Sequence, residues 1–345
     1  MDAVREEDFR QIISKIPYEK CEGQTFLITG ANGFLASYVT DTLMYMKRNN
    51  YIKKCTVLAL CRNKEKAERV FKEWLGDEDF HLLIQSVEDK VIYEGKIDYI
   101  IHAASCSTTH LFESNPADIM KANIIGSYNL LELARQKVVK GFLFFSSGAV
   151  YGEADTDENQ ESETYAIDYL NPKNSYAVGK RAGEALCSAY WKQYHVPAKG
   201  VRISHTYGPG IDLNDGHVYS DFARNIIEYN DLIIKGDGLA SRPFCYVSDA
   251  VCAFFLILFC GNGGEMYNMA NSAMNVTIKE LADLLTQEAF PDRKLQVVVE
   301  QPATDKTAHK VKINTEKLNG LGWRSEINLV EGFKRVVRSV EEESL

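Results

Sequence analysis

Five short apolar runs, spaced by longer amphipathic stretches, set most of what this chain can fold into. Gln24–Thr29 (QTFLIT), Cys55–Leu60 (CTVLAL), Phe80–Gln85 (FHLLIQ), Asp98–His102 (DYIIH) and Phe142–Ser146 (FLFFS) are each of strand length and nearly continuous in apolar character. A strand reads this way when helices cover both faces of its sheet. Between the runs, Gly33–Met46, Lys64–Leu75, Asn115–Lys137 and Ser175–Tyr194 have helical patterning. The alternation predicts an α/β fold with a doubly wound parallel sheet.

Past His205 the pattern changes. Gly208–Gly216, Gly236–Ser241 and Gly261–Gly264 are loop-forming segments rich in small and polar residues, and they interrupt shorter elements. A smaller C-terminal lobe is expected over 206–345, with 244–260 returning to the first domain at 23–205. Residues 1–22 are expected to add a helix, Glu7–Ile16, on the outside. With 345 residues, 45% hydrophobic and 25% charged, the chain has ordinary globular composition. The formal net charge of −9 argues against a nucleic-acid partner. The opening segment carries Arg5, Glu6, Glu7 and Asp8, unlike a secretory leader. The apolar stretch Ala250–Cys260 is too short to span a bilayer. Eight scattered cysteines (21, 55, 61, 106, 187, 245, 252 and 260) form no C-x-x-C pair. They read as buried small hydrophobes, not as a disulfide or metal framework. A cytoplasmic enzyme with no metal site and no membrane association is the expectation.

Thr29–Ser37 reads TGANGFLAS, directly after the first apolar run. Gly30 allows a tight turn, Gly33 allows backbone to approach a pyrophosphate, and Ala36 allows close helix–strand packing. The helix that opens there offers unpaired N–H groups to an anion, as in a Rossmann-type dinucleotide site. An acid ending the second strand would hold the ribose of NAD. Cys61 stands there instead, followed by Arg62 and Lys64. Those cations suit a ribose phosphate, leaning the cofactor reading from NAD toward NADP, or they form a solvated loop.

Ser175–Lys180 reads SYAVGK, placing Tyr176 and Lys180 one turn apart on a helix face. A phenol with a reference pKa near ~10 is a poor base at neutral pH. A nearby ammonium and a nicotinamide cation both favour its phenolate. Ser147 ends the fifth run, FFSSGAVYG, at the sheet edge where α/β folds bind ligands, and could hold the reacting oxygen. Ser146 reads as a turn residue.

In these blocks the chain resembles the extended short-chain dehydrogenase/reductase family, and within it the nucleotide-sugar epimerases, dehydratases and decarboxylases. IDYIIHAAS, KANIIGSYNLLELA, VRISHTYGPG, GDGLASRPFCYVSDAV and NTEKLNGLGWRSEINLVEGFKRVV continue the likeness in order. The resemblance makes Ser147, Tyr176 and Lys180 the catalytic set. It gives Gly30, Asn32, Gly33, Phe34, Leu35, Arg62, Ser86, Val87, Ala103, Ala104 and Asn123, with Lys180, to the dinucleotide. Ser86 replaces the family's usual acid. Arg242 would bind the substrate's diphosphate, and Val218 and Phe222 would line the base pocket. His205 stands where relatives carry a substrate-contacting asparagine, and Lys310 lies where relatives carry an arginine. A nucleotide-diphosphate sugar substrate and a homodimer are implied.

The shared chemistry implied is oxidation at sugar carbon 4. After the catalytic hydroxyl, relatives that dehydrate carry Asp–Glu and many that decarboxylate carry Ser–Glu, whereas Gly148 and Ala149 stand here. Neither residue can transfer a proton, so an epimerase is the first reading. A UDP-glucuronate decarboxylase-like or dTDP-glucose 4,6-dehydratase-like enzyme is the alternative, with Glu153 or Asp155 as substitute acids. A net NADPH-dependent reductase and a non-catalytic dinucleotide sensor are further options.

Overall fold

The computed structural model describes residues 2–105, 114–152, 156–300 and 312–343. Cys106, Glu153, Asp155 and Lys310 lie outside them. The five apolar runs form strands β1 (Gln24–Thr29), β2 (Cys55–Cys61), β3 (Phe80–Ile84), β4 (Tyr99–His102) and β5 (Gly141–Ser147). Among the shorter elements, β6 is Glu158–Asn159. Two further strands, β7 (Ala198–Ile203) and β11 (Met266–Met269), complete a seven-stranded sheet in the order β11-β7-β5-β4-β1-β2-β3. All its pairings are parallel.

The patterning works because neighbours along a strand enter different cores. Phe26 and Ile28 of β1, with Leu143 and Phe145 of β5, belong to one apolar cluster. Leu27, Phe142 and Phe144 belong to the other. Helices Phe34–Arg48 and Val247–Cys260 cover the first face, and helices Ser127–Lys137 and Ser175–Tyr194 cover the second. Each fully buried Leu, Ile or Phe side chain contributes about 1.5–3 kcal/mol.

The chain places β7 and β11 in the sheet although their sequences, AKGVRI and MYNM, are broken by polar residues. Tertiary partners satisfy those groups. Lys199 Nζ donates to Leu258 O at 2.9 Å, Arg202 meets Glu184, and Asn268 Oδ1 accepts from the Tyr151 hydroxyl at 2.7 Å. Helix boundaries also move. The Lys64 helix stops at Val70, short of Leu75. The expected Asn115–Lys137 helix is divided into Pro116–Lys121, a π turn at Ala122–Gly126, and Ser127–Lys137. Of the cysteines, Cys260 is exposed while Cys21, Cys55, Cys61, Cys187, Cys245 and Cys252 are buried.

Beyond the central sheet, β8 (His205–Tyr207), β10 (Ser241–Tyr246) and β12 (Asn275–Thr277) form a three-stranded sheet. A two-stranded pair joins β9 (Leu232–Ile234) to β13 (Val297–Val299), and another joins β14 (Lys312–Ile313) to β6. The first helix runs Ala3–Ile13, earlier than Glu7–Ile16, because the Asp2 side chain caps it by accepting from Arg5 N. Its Asp8 is fully buried and accepts from the hydroxyls of Tyr38 (3.0 Å) and Tyr246 (2.9 Å) and from Arg335 (2.8 Å). One carboxylate thus joins the Phe34–Arg48 helix, β10 and the C-terminal helix Leu329–Glu343. None of the described helices is long and apolar enough to cross a membrane.

Asp8→Ala would leave the buried hydroxyls of Tyr38 and Tyr246 without this acceptor and Arg335 with only Glu331. The expected cost is about 3–5 kcal/mol of unfolding free energy, read by urea denaturation. A loss under about 1 kcal/mol would show that Asp8 does not tie these elements together.

Candidate active site

The turn after β1 is built for close approach. Gly30 has φ +62°, and a Cβ there would lie 2.8 Å from Ala104 Cα, so a side chain is excluded by both conformation and space. Gly33 N-caps the Phe34–Arg48 helix with no side-chain hydrogen bond, leaving its first N–H groups available to an anion. Phe34, Leu35 and Ala103 line the adjoining cleft with Gly30 and Gly33. Ala104 N donates to Thr29 Oγ1 at 3.3 Å, which fixes the loop after β4 against the turn. Half-buried Asn32 lies in the turn itself and places its backbone N–H toward the Cys61 sulfur.

Asn123 sits fully buried in the π turn. Its amide nitrogen donates to Ile119 O (2.8 Å) and Ser105 Oγ (3.1 Å), while Oδ1 has no partner among the described residues. A buried acceptor without a donor is costly and marks a place for a ligand group. Ser86 Oγ accepts from Glu88 N at 3.2 Å, and Val87 packs where a Cβ on Gly126 would come within 2.8 Å. Neither lines the cleft, and Arg62 stands exposed just past β2. A dinucleotide's pyrophosphate fits the Gly30–Phe34 cradle on these grounds.

At the carboxyl end of β5, Ser147, Tyr176 and Lys180 line one cleft of about 750 Å3. Ser147 Oγ accepts from Ala149 N at 3.2 Å, shaping the 3-10 turn Gly148–Tyr151. The Lys180 ammonium donates to Phe145 O at 2.6 Å and lies 5.6 Å from the Tyr176 ring centroid. Gly183 brings this helix onto β5: a Cβ there would strike the Phe144 ring at 2.3 Å. Burial pushes Lys180 down to about 7, while Glu184 favours its charged form.

Sequence reasoning did not find the network beneath these residues. Ser146 lies within β5, not in a turn, and pairs in register with Arg202 of β7. Its hydroxyl donates to Glu184 Oε1 at 2.5 Å. Arg202 grips the same carboxylate through Nε (2.9 Å) and a second nitrogen (2.8 Å). The available signal was Glu184, one turn beyond Lys180 on the same helix face.

The opposite wall carries His205, His217, Tyr219 and Arg242. His205 is pushed down to about 3 by burial and by the nearby charges of Arg242 and His217. Arg242 donates to the Ser241 carbonyl at 2.8 Å. Phe222 is fully buried in the core and Val218 packs against it, while neighbouring His217 and Tyr219 face the cleft. Among the described residues that line the cleft there is no Asp or Glu, although the whole chain is acidic.

The sequence profile of the NAD dependent epimerase/dehydratase family matches residues 26–270. UDP-glucuronic acid decarboxylase 6 of Arabidopsis thaliana is 29% identical over 307 residues, 89% of this chain and 86% of that protein. Human dTDP-D-glucose 4,6-dehydratase is 30% identical over 329 residues, 90% of this chain and 88% of that protein. The fold is also that of Thermotoga maritima UDP-glucose 4-epimerase, solved with UDP-glucose. The TM-score is 0.78 at 24% identity, covering 93% of this chain and all of that one. With the parallel sheet and glycine turn described above, these likenesses place the chain in the NAD dependent epimerase/dehydratase family.

Proposed function

We propose that this chain is a nucleotide-sugar epimerase acting through a transient 4-keto sugar, with Ser147, Tyr176 and Lys180 as its catalytic residues. The observation that carries this reading is the cleft wall. It joins a hydroxyl, a phenol and an ammonium at one end to Arg242 and two histidines at the other, with no described carboxylate between. The Arg242 guanidinium suits a nucleotide diphosphate.

A nicotinamide dinucleotide held by Gly30, Gly33, Phe34, Leu35 and Asn123 would supply the reversible hydride acceptor. Tyr176 takes the proton of the sugar 4-hydroxyl, and Ser147 donates a hydrogen bond to the same oxygen. Lys180, as ammonium, favours the phenolate and gives the proton path a second group. Phe145 O holds that ammonium in place. Gly148 and Ala149 leave room for the keto sugar to turn over and offer no proton of their own. Hydride given back to the opposite face would invert carbon 4.

A second reading, decarboxylation of a UDP-uronate, draws on the relatives named as UDP-glucuronic acid decarboxylases. A β-keto acid loses carbon dioxide without a further acid, so the same cleft serves it. Dehydration needs an acid–base pair that Gly148 and Ala149 do not provide. Arg62, exposed at the end of β2, supports the NADP side of the cofactor reading.

Purified protein incubated with UDP-, dTDP-, GDP- and CDP-sugars should give a product of unchanged mass. Loss of 44 Da from a uronate would select decarboxylation instead. Tyr176→Phe should slow either reaction about 10²–10⁴-fold with substrate binding retained. A sensor would keep its ligand response, and a reductase would consume NADPH stoichiometrically.

The pH profile follows from Lys180. Its ammonium is present below about 7 and is lost as pH rises through that value, so kcat/KM should fall on the alkaline side. Glu184→Gln removes the carboxylate that supports the ammonium and leaves Arg202 uncompensated. Both effects move that limb to lower pH, and an unmoved limb would refute the coupling. Fluorescence titration with NADH and NADPH tests Arg62. NADPH should bind tighter, with Arg62→Ala removing the difference about tenfold, and equal affinity would withdraw NADP.

A further inference from the structure

Neighbouring residues of the Ser175–Tyr194 helix donate to the main chain on both sides of Ser147. Lys180 Nζ reaches the Phe145 carbonyl before it, at 2.6 Å. Arg181 reaches the turn after it. Its Nε donates to Val150 O at 2.7 Å, and its Nη2 donates to Tyr151 O at 3.3 Å and to Tyr165 O at 2.6 Å. Among the described residues, Arg181 hydrogen-bonds main-chain carbonyls and no side chain.

The two donors hold different things. Phe145 lies inside β5, where pairing with Val201 of β7 already places it. The Ser147–Ile203 pair is the last of that ladder, and the Gly148–Tyr151 turn has left the sheet. The far side of the turn is anchored, because the Tyr151 hydroxyl donates to Asn268 of β11 at 2.7 Å. Its helix-facing side borders a chamber of about 290 Å3, with Ala149, Gly152, Ala166, Ile167, Tyr176 and Ala177 in the walls. Ala149, Gly152 and Tyr176 also line the main cleft, so this chamber opens beside the phenol. Open space leaves packing unable to set the separation of turn and helix there. The Arg181 guanidinium links the two, and it takes in the segment that returns at Tyr165. That segment crosses the turn so closely that a Cβ on Gly152 would lie 2.5 Å from Ala166 O.

We propose that Arg181 is a positioning residue for the reaction: it fastens the turn that begins at Ser147 to the helix that carries Tyr176, and so fixes the hydroxyl and the phenol relative to each other. This rests on the roles given to Ser147 and Tyr176 above. Ser147 Oγ accepts from Ala149 N at 3.2 Å, so the hydroxyl moves with the turn, whereas Tyr176 moves with the helix. Both must meet one sugar oxygen, and a displacement of about 1 Å between such groups costs on the order of 10²-fold in rate. Arginine suits the task because one planar fork serves several acceptors at fixed angles, which an ammonium does not.

The test is a double-substitution cycle in the dinucleotide-loaded full chain, with UDP-glucose or UDP-glucuronate as probe, whichever is converted. Arg181→Met keeps the apolar stem and removes the donors. It should lower kcat about 10–10²-fold and leave KM within about threefold. NADH affinity should stay within about twofold, because the Gly30 turn shares no partner with Arg181. Ser147→Ala should also lower kcat, and Arg181→Met added to it should cost less than about twofold more, since both act through one contact. Arg181→Lys keeps the charge without the fork and should stay well below the native rate. Losses that multiply in the double variant, or full activity in Arg181→Lys, overturn the proposal. Should Arg181→Met not fold, Arg181→Lys takes its place in the cycle. Hydrogen exchange reads the clamp without any substrate. In Arg181→Met the amides of 149–152 and 165–168 should exchange about tenfold faster while those of β5 do not change, and unchanged rates in the turn also overturn the proposal. If exchange rises as expected but no UDP-, dTDP-, GDP- or CDP-sugar is converted by the native chain, the clamp stands and the nucleotide-sugar reading fails.

Discussion

The site depends on a buried ammonium that has a carbonyl, not a carboxylate, as its hydrogen-bond partner. Lys180 Nζ donates to Phe145 O, while the carboxylate one turn further along, Glu184, is already taken by Arg202 and Ser146. Placing a carboxylate directly on Lys180 would lock it as a permanent cation. Leaving it with no acid in the neighbourhood would lower its proton affinity further. The intermediate arrangement brings its proton affinity close to neutrality, the range its proposed support of the Tyr176 phenol requires. The Glu184–Arg202 pair therefore has two effects: it fastens the Ser175–Tyr194 helix to β5 and β7, and it sets the field in which Lys180 sits.

The rest of the architecture holds the two walls of one cleft in register. The Gly30 turn, the π turn bearing Asn123 and the carboxyl end of β5 all belong to the central sheet and its helices. The wall carrying His205 and Arg242 comes from β8 and β10, which pair with each other and not with that sheet. The link between them runs through the fold's outer layer. Tyr246, four residues beyond Arg242, donates to Asp8 of the first helix, and Asp8 also accepts from Tyr38 of the helix that follows the glycine turn. An added N-terminal helix thus joins the dinucleotide turn to the strand carrying Arg242.

How much of this was legible depended on whether a residue's partner was local. The continuous apolar runs marked β1 to β5 because burial on both faces leaves a mark in every residue of a strand. SYAVGK and TGANGFLAS were legible for the same reason, since a one-turn spacing and a glycine turn are short-range facts. β7 and β11 were not marked: Lys199, Arg202 and Asn268 look like surface residues until Leu258 O, Glu184 and Tyr151 are brought to them. Ser146 was misjudged on the same account, because its strand parity was visible and its partner 38 positions away was not. Val218 and Phe222 show a half-turn version of the problem. The segment faces the cleft, but His217 and Tyr219 supply the side chains that reach it.

The same distinction separates the shared oxidation from the choice that follows it. Oxidation at carbon 4 asks for a phenol, an ammonium and a hydroxyl at fixed spacing, and these are written in two short blocks. The fate of the keto sugar is decided by what stands beside it. A glycine and an alanine there define a space and supply no reagent. A space permits whatever the bound sugar does unaided: a uronate can shed carbon dioxide, and a neutral hexose can only turn and recover its hydrogen. On the proposed reading, the reaction outcome turns less on a further catalytic residue than on which sugar the cleft admits.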